Sequence, residues 1–289
     1  MESATFNGVE LEYEARGSGE PVLLISPGPI ADGLLPFQAE AVLVEQYRLI
    51  RYHQRGQGGS TRSTEPVSFE EHAADAAALL DHLGVRRAHV VGHSTGGDIA
   101  LQLALDRPDL VQTLALLEPA LMGVPSAAAF FEKAGPAVAA YNSGDREKAI
   151  AEFLSMVSSL DWQTCRTVIE EHVPNGVAHA IRDADTFFSS YLPALNAWRF
   201  GSNEAAAISQ PVLSVLGTMT ERLFVEGRVL LHSWFPQVED FTVEGLGHLL
   251  HVQRPEPVAR GVGAFFDRHP MGAMRSADSR MSADPIRTI

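Results

Sequence analysis

The chain has 289 residues, enough for one large domain or two small ones with a substantial buried core, and its 45% apolar and 20% charged content is that of an ordinary globular protein. A formal net charge of −14, with no basic cluster denser than Arg86-Arg87, repels phosphate backbones and anionic lipid headgroups, so neither nucleic acid nor a membrane surface is an expected partner. The single cysteine, Cys165, excludes an internal disulfide framework and any Cys-based zinc or iron-sulfur site.

The opening Met-Glu-Ser-Ala-Thr-Phe-Asn lacks the basic start and apolar run of a signal peptide, and no apolar stretch has the length of a membrane span, so a cytoplasmic protein is expected. The first segment reads as two strands: in GVELEYEA, Val9, Leu11 and Tyr13 alternate with acidic residues, and GSGEP breaks the pattern. From Pro21 onward the pattern changes to short, continuous apolar runs. These are residues 21–26, 47–52, 88–93, 111–118, 211–217 and 239–245, and they suit strands of a parallel sheet covered on both faces.

Helical stretches lie between these runs. Ser68-Phe69-Glu70-Glu71 is a capping-box start for a helix with Phe69, Ala73, Ala76, Leu80 and Leu83 on one face and Gly84 as its stop. Residues 95–106, 221–235 and 256–266 read likewise. Strands alternating with helices predict a doubly wound, mostly parallel α/β sheet. Residues 1–122 and 208–270 make up this core. Residues 123–207, rich in Ala, Ser, Phe and Trp and without a convincing strand, are expected to form a helical cap inserted over the sheet's C-terminal edge. Residues 271–289 lack periodicity and read as a disordered tail.

The segment Val90 to Leu105, VVGHSTGGDIALQLAL, holds the chemistry. Gly92-His93-Ser94-Thr95-Gly96 matches Gly-x-Ser-x-Gly, in which a strand reverses into a helix through a strained turn that glycines on both sides make room for. The Ser94 hydroxyl is then presented above the sheet, and the Thr95 N–H at the helix start points at a developing oxyanion. The alternative is a glycine-rich turn with an incidental serine, but the match sits after an apolar strand and before a helix, where the chemistry requires it.

With that segment the chain resembles the α/β-hydrolase superfamily, from the opening strands to about residue 268. YHQRGQGGST (52–61) looks like the family's Asp-x-Arg-Gly-x-Gly-x-Ser loop, HAADAAALLDHLGV like the helix after it, and GLGHLLHVQRPEPVARGVGAFF like its terminal histidine segment. His53 stands where that loop usually carries Asp, a change expected to alter the loop's hydrogen bonding. The resemblance implies an α/β-hydrolase fold with an inserted helical cap, and a Ser, acid, His relay in that chain order.

His248, on a loop after Gly245 and Gly247, is the expected base, with His251 the neighbouring competitor. Many relatives carry an Asp after the strand at 211–217, but here the chain reads Gly217-Thr218-Met219-Thr220-Glu221. Threonine cannot carry the compensating charge. Glu118, at the end of the 111–118 strand, is therefore the first candidate for the acid, as in some branches of the superfamily, and Glu221 the second. The second oxyanion donor normally follows the strand at 21–26, where Ser26-Pro27-Gly28-Pro29-Ile30 contains two residues without an N–H. Gly28 is the expected donor and Ile30 the alternative.

Among Phe130, Phe131, Trp162, Phe187, Phe188, Tyr191 and Trp198 in the inserted region, one or two are expected to line an apolar substrate pocket and the rest to form its core. The eleven histidines show no metal-binding spacing, and no phosphate-cradling glycine loop follows a strand, so no cofactor is implied. Asp75 reads as structural. The expectation is a cofactor-independent hydrolase of small apolar esters or lactones, acting on a small-molecule substrate, with self-association left open. Alternatives are another reaction on the same scaffold (carbon-carbon bond hydrolysis, amide or iminopeptide cleavage, perhydrolysis, a lyase reaction) or a non-catalytic ligand-binding protein.

Overall fold

The computed structural model describes residues 1–63 and 65–272. Most of the segment expected to be a tail, from residue 273 on, lies outside them. Eight strands form one sheet: β1 (Glu2–Phe6), β2 (Val9–Arg16), β3 (Glu20–Ile25), β4 (Tyr47–Tyr52), β5 (Ala88–His93), β6 (Val111–Leu117), β7 (Val212–Gly217) and β8 (Glu239–Val243). Their order across the sheet is β1-β2-β4-β3-β5-β6-β7-β8. β2 runs antiparallel to both β1 and β4, and every pair from β4 through β8 is parallel, so the mostly parallel sheet expected from the sequence is present.

Local chemistry explains the two kinds of strand. β1 and β2 are joined by Asn7-Gly8, both at positive φ (48° and 79°), the pair that a two-residue hairpin turn of the proper twist requires. The central strands are covered on both sides. Leu23 and Ile25 of β3 and Val90 of β5 join one apolar cluster, while Val22 and Leu24 of β3 and Val91 of β5 join the other with Val258, Val262, Phe265 and Phe266 of the last helix. That helix, Pro255–Arg268, puts these four residues on one face at helical spacing.

β3 pairs with β4 on one side and β5 on the other, so the direction of winding reverses between β3 and β5. At such a switch point the connections leave in opposite directions and open a crevice at the strands' C-terminal ends. The loops after β3 and β5 therefore face each other there.

Between β6 and β7 the described chain is helical: Ala127–Lys133, Gly135–Asn142, Arg146–Ser158, Trp162–His172, Gly176–Arg182, a wider π turn at Phe187–Tyr191, Leu192–Ala197 and Ser202–Ala205. This segment meets loops at the C-terminal ends of the strands: Tyr191 and Phe187 close on Gly28 after β3, and Lys133 and Ser159 pair with Glu221 after β7. Its seam with the loop after β4 is polar: Asp183 accepts from the Gly58 N–H (3.0 Å) and from Arg62 (2.5 Å), Thr186 Oγ1 donates to Gly56 O (2.8 Å), and Ser190 Oγ accepts from Val67 N (2.8 Å). Among the described residues no helix is long and apolar enough to cross a membrane.

Candidate active site

β5 ends at His93, and the chain turns into the helix Thr95–Asp106 through Ser94, whose φ of 53° and ψ of −126° no ordinary L-residue adopts without strain. Close packing leaves the turn no alternative. A Cβ on Gly92 would land on the Gly96 carbonyl, and one on Gly96 on the Ile25 carbonyl of β3. The Ser94 N–H donates to Leu117 O of β6 (3.0 Å), fixing the turn against the neighbouring strand. Ser94 is half-buried, and among the described residues its hydroxyl makes no hydrogen bond.

The next residue after β6 is Glu118, also at positive φ (45°) and 1% exposed. Its Oε1 accepts from the Gly217 N–H (2.8 Å); its Oε2 accepts from Thr220 Oγ1 (2.8 Å) and from His248 Nδ1 (2.8 Å). An ionised carboxylate only accepts, so the His248 proton resides on Nδ1 and leaves Nε2 as the basic nitrogen of the neutral ring.

Two rings hold His248 in place. Phe224, from the helix Arg222–Trp234 that follows β7, stacks on it at 4.1 Å between centroids and 14° between planes. His93 packs at 4.5 Å and donates its Nε2–H to the backbone oxygen of His248 (3.0 Å). The chain neighbour of Ser94 thus carries the loop of His248, which brings the imidazole to the elbow. Burial, reinforced by the nearby His251 and His248, depresses the His93 pKa well below the ordinary imidazole value, so His93 is neutral. Burial and His248 likewise lower His251, to about 3.

A strained, glycine-flanked serine after a buried parallel strand, whose chain neighbour packs on a histidine bonded to a carboxylate, is an arrangement on which one fold family is built. Residues 21–255 match the sequence model of that family, described as alpha/beta hydrolase fold. The chain belongs to it. Among α/β-hydrolase relatives, RutD of Azorhizobium caulinodans, whose name assigns it provisionally to carbamate hydrolysis, is 40% identical over 108 residues, 37% of this chain and 40% of RutD. The rhodomycin D methylesterase DnrP of Streptomyces peucetius is 38% identical over 138 residues, 40% of this chain and 46% of DnrP. The matched stretch thus spans less than half the length of either relative. Among solved α/β-hydrolase structures, Est816, described as an N-acyl homoserine lactone degrading enzyme, superposes with a TM-score of 0.68 at 25% identity over 91% of this chain and 100% of that one. The enol-lactonase of Burkholderia xenovorans LB400 gives 0.76 at 22% identity over 92% and 100%, a likeness of fold.

Within this α/β-hydrolase core Glu118 and His248 are joined directly, and Ser94 follows His93, whose ring packs on His248. Glu221, the second candidate for the acid, is turned away: it pairs with Lys133 (2.8 Å) and accepts from Ser159 Oγ (2.9 Å). His251 packs on His93, with ring centroids 3.9 Å apart and planes tilted by 45°, and has no acidic partner among the described residues. The Thr95 N–H lies at the first turn of the elbow helix, where backbone donors have no intrahelical acceptor. The Gly28 N–H is already engaged, donating to Thr95 Oγ1 at 3.1 Å, so the second oxyanion donor is not a free backbone amide at Gly28. Ile30, the alternative, is buried; its carbonyl accepts from the Gly33 N–H, and among the described residues its own N–H donates to no acceptor, so it stays available as a donor.

Of the aromatic residues, Tyr191 and Phe187 of the π turn lie over Gly28, where an added Cβ would come within 2.9 and 3.1 Å of their rings. Phe188 stacks on Tyr141, and Trp198 on Phe200, inside the helical segment. His53 bridges two carboxylates, Glu12 (2.9 Å) and Asp32 (3.0 Å), and Asp32 also binds Arg51 (2.7 Å). Asp75 holds Arg55 through both oxygens (2.5 and 2.8 Å). Three residues escaped the sequence reading: Phe224, Thr220 and His93. Only His93 carried a signal, as one of two histidines, with His89, in an otherwise apolar buried strand.

Proposed function

We propose that this chain is a serine hydrolase that cleaves small apolar carboxylic esters or lactones through an acyl-enzyme, without a cofactor. The observation that carries the reading is the buried hydrogen bond between Glu118 and His248 Nδ1, on a histidine tied to the neighbour of a strained serine. In a passive binding pocket an apolar pair would serve as well, since a buried polar pair adds little net stability.

The chemistry follows from the geometry. Ser94 Oγ attacks the substrate carbonyl while His248 Nε2 takes the hydroxyl proton; Glu118 stabilises the imidazolium that forms. Among the described residues Ser94 Oγ makes no hydrogen bond, so on this reading its bond to His248 Nε2 forms when substrate closes the site. His248 then gives the proton to the leaving oxygen, and water, activated by the same base, resolves the acyl-enzyme. Tyr191 and Phe187 over the Gly28 loop supply an apolar wall to the site, which favours uncharged acyl groups. The names of the methylesterase and the lactone-degrading relatives agree with carbonyl-oxygen bond cleavage.

The test is a panel of p-nitrophenyl esters of rising chain length, together with simple lactones, run on the wild type and Ser94→Ala. The substitution should lower kcat by about 10⁴- to 10⁶-fold and abolish covalent labelling by a fluorophosphonate. Equal turnover by both proteins, or a wild type that neither labels nor hydrolyses any member of the panel, overturns the proposal.

A further inference from the structure

We infer that the side-chain hydroxyl of Thr95, in addition to its backbone N–H, is a donor of the oxyanion hole, and that the Gly28 amide acts through it. The inference rests on Ser94 being the nucleophile. Its starting point is the pair of prolines in Ser26-Pro27-Gly28-Pro29, the loop that faces the elbow across the switch point: Pro27 and Pro29 have no N–H. The one amide between them, Gly28, points at Thr95 Oγ1 (3.1 Å). An amide N–H only donates, so Thr95 Oγ1 is the acceptor in that bond and its own proton is left to give. Among the described residues it is given to no protein group.

The location suits the role. Thr95 directly follows Ser94 and is 3% exposed, and its Oγ1 lies between the elbow and the β3 loop, the two elements that flank a carbonyl under attack by Ser94. A hydroxyl that accepts one hydrogen bond donates a stronger one, and the N-terminal end of the elbow helix adds positive potential. The Gly28 partner is fixed in turn. Tyr191 and Phe187 press on it from above, while Gln54 Nε2 donates to the Ser26 carbonyl (2.8 Å) and Gln54 Oε1 accepts from the Tyr191 hydroxyl (2.5 Å). The donor is therefore preorganised, which is what gives an oxyanion hole its strength. In the addition step the Ser94 Oγ–carbon bond forms, the carbonyl π pair moves to oxygen, and the serine proton passes to His248. The oxyanion accepts hydrogen bonds from Thr95 N–H and Oγ1–H without taking either proton.

Three variants test this on the same ester panel: Thr95→Val, which keeps shape and backbone N–H, Thr95→Ser, which keeps the hydroxyl, and Thr95→Ala, which removes it should the valine variant not fold. Thr95→Val is expected to lower kcat about 10²-fold with KM within about threefold of wild type. Inhibition by a trifluoromethyl ketone, whose adduct carries the oxyanion, should weaken in parallel, a change that a merely structural role would not produce. Thr95→Ser should stay within about threefold of wild type on both readouts. A Thr95→Val or Thr95→Ala enzyme as active as wild type or more so, or a Thr95→Ser enzyme that loses as much as Thr95→Val, overturns the inference. The nucleophile is checked separately: an active wild type and a dead Ser94→Ala, beside a fully active Thr95→Val, would refute the hydroxyl's role and leave the serine reading standing.

Discussion

Replacing Glu118 by Gln probes the relay at its least exposed point. The side chain keeps its length, and one Gln oxygen can still accept from the Gly217 N–H. The amide NH₂ then faces His248 Nδ1 and Thr220 Oγ1, which both now give hydrogen bonds to the carboxylate. To pair with that NH₂ the imidazole must move its proton to Nε2, where it can no longer accept one from Ser94. The charge is lost as well. Carboxylate and imidazolium charge centres lie about 4 Å apart, and with an effective dielectric constant near 20 their attraction is about 4 kcal/mol. Since each 1.36 kcal/mol is tenfold in rate, the lost charge alone lowers kcat about 10³-fold, and the wrong tautomer takes the total toward 10⁴. The side chains of Glu118 and His248 are 0% and 4% exposed, so solvent does little to screen this term. The assay is steady-state hydrolysis of p-nitrophenyl butyrate at neutral pH, with Glu221→Gln as control. That control should remain within twofold of wild type, because Glu221 is engaged with Lys133 and Ser159. A Glu118→Gln enzyme within tenfold of wild type, or a larger loss in Glu221→Gln, would refute the assignment of the acid.

Two further substitutions read the scaffold. Gly96→Ala would drive a methyl group into the Ile25 carbonyl, so it should destabilise the fold by about 3 kcal/mol or more, measured by urea unfolding, and a stable variant would show that the elbow is looser than described. His53 tests the loop in which it replaces the usual Asp. Burial lowers its pKa, but the hydrogen bonds and charges of Asp32 and Glu12 outweigh this and leave it raised above 6.5. Burial likewise opposes ionisation of Asp32, yet His53 and Arg51 hold it down at about 2. The His53 contribution to stability is thus complete below pH 6.5 and lost as pH rises through the folded-state value; the Asp32 contribution is complete above 3.8 and lost as pH falls through about 2. The network is strongest between these limits. His53→Gln should therefore lower Tm more at pH 5.5 than at pH 8.5. His53→Asp, which sets a third carboxylate beside Glu12 and Asp32, should cost about 2–3 kcal/mol at neutral pH. A pH-independent difference for the Gln variant would remove the charged role of His53.

The sheet was legible because strands buried on both faces need apolar runs, and β3 through β7 are rich in Val, Leu and Ile despite Arg48 and Arg51 in β4 and His89 in β5. The elbow was legible for a steric reason, since few residue pairs other than Gly92 and Gly96 would let Ser94 adopt its turn. The acid was legible only as a choice. Glu118 and Glu221 both follow central strands, and what separates them is a lysine from the helix Ala127–Lys133, a tertiary neighbour that no local pattern announces. The direction of the Gly28 N–H depends on backbone torsions in a loop between two prolines, so the sequence could count its donors but not aim them. The helices Leu35–Gln38 and Ala41–Val44 escaped because four residues hold little more than one turn and show no period. The π turn at Phe187–Tyr191 leaves no mark in composition at all.

Placing the acid at the end of β6 has a mechanical consequence. His93 of β5 and Leu117 of β6 are opposite one another in the ladder, and Ser94 and Glu118 are the next residues on each strand, joined by the bond from Ser94 N to Leu117 O. The proposed nucleophile and acid therefore ride on adjacent rails, held in one register by the ladder. Any adjustment the reaction coordinate demands falls to the imidazole, the one member of the trio that arrives on a separate loop from the distant end of the polypeptide.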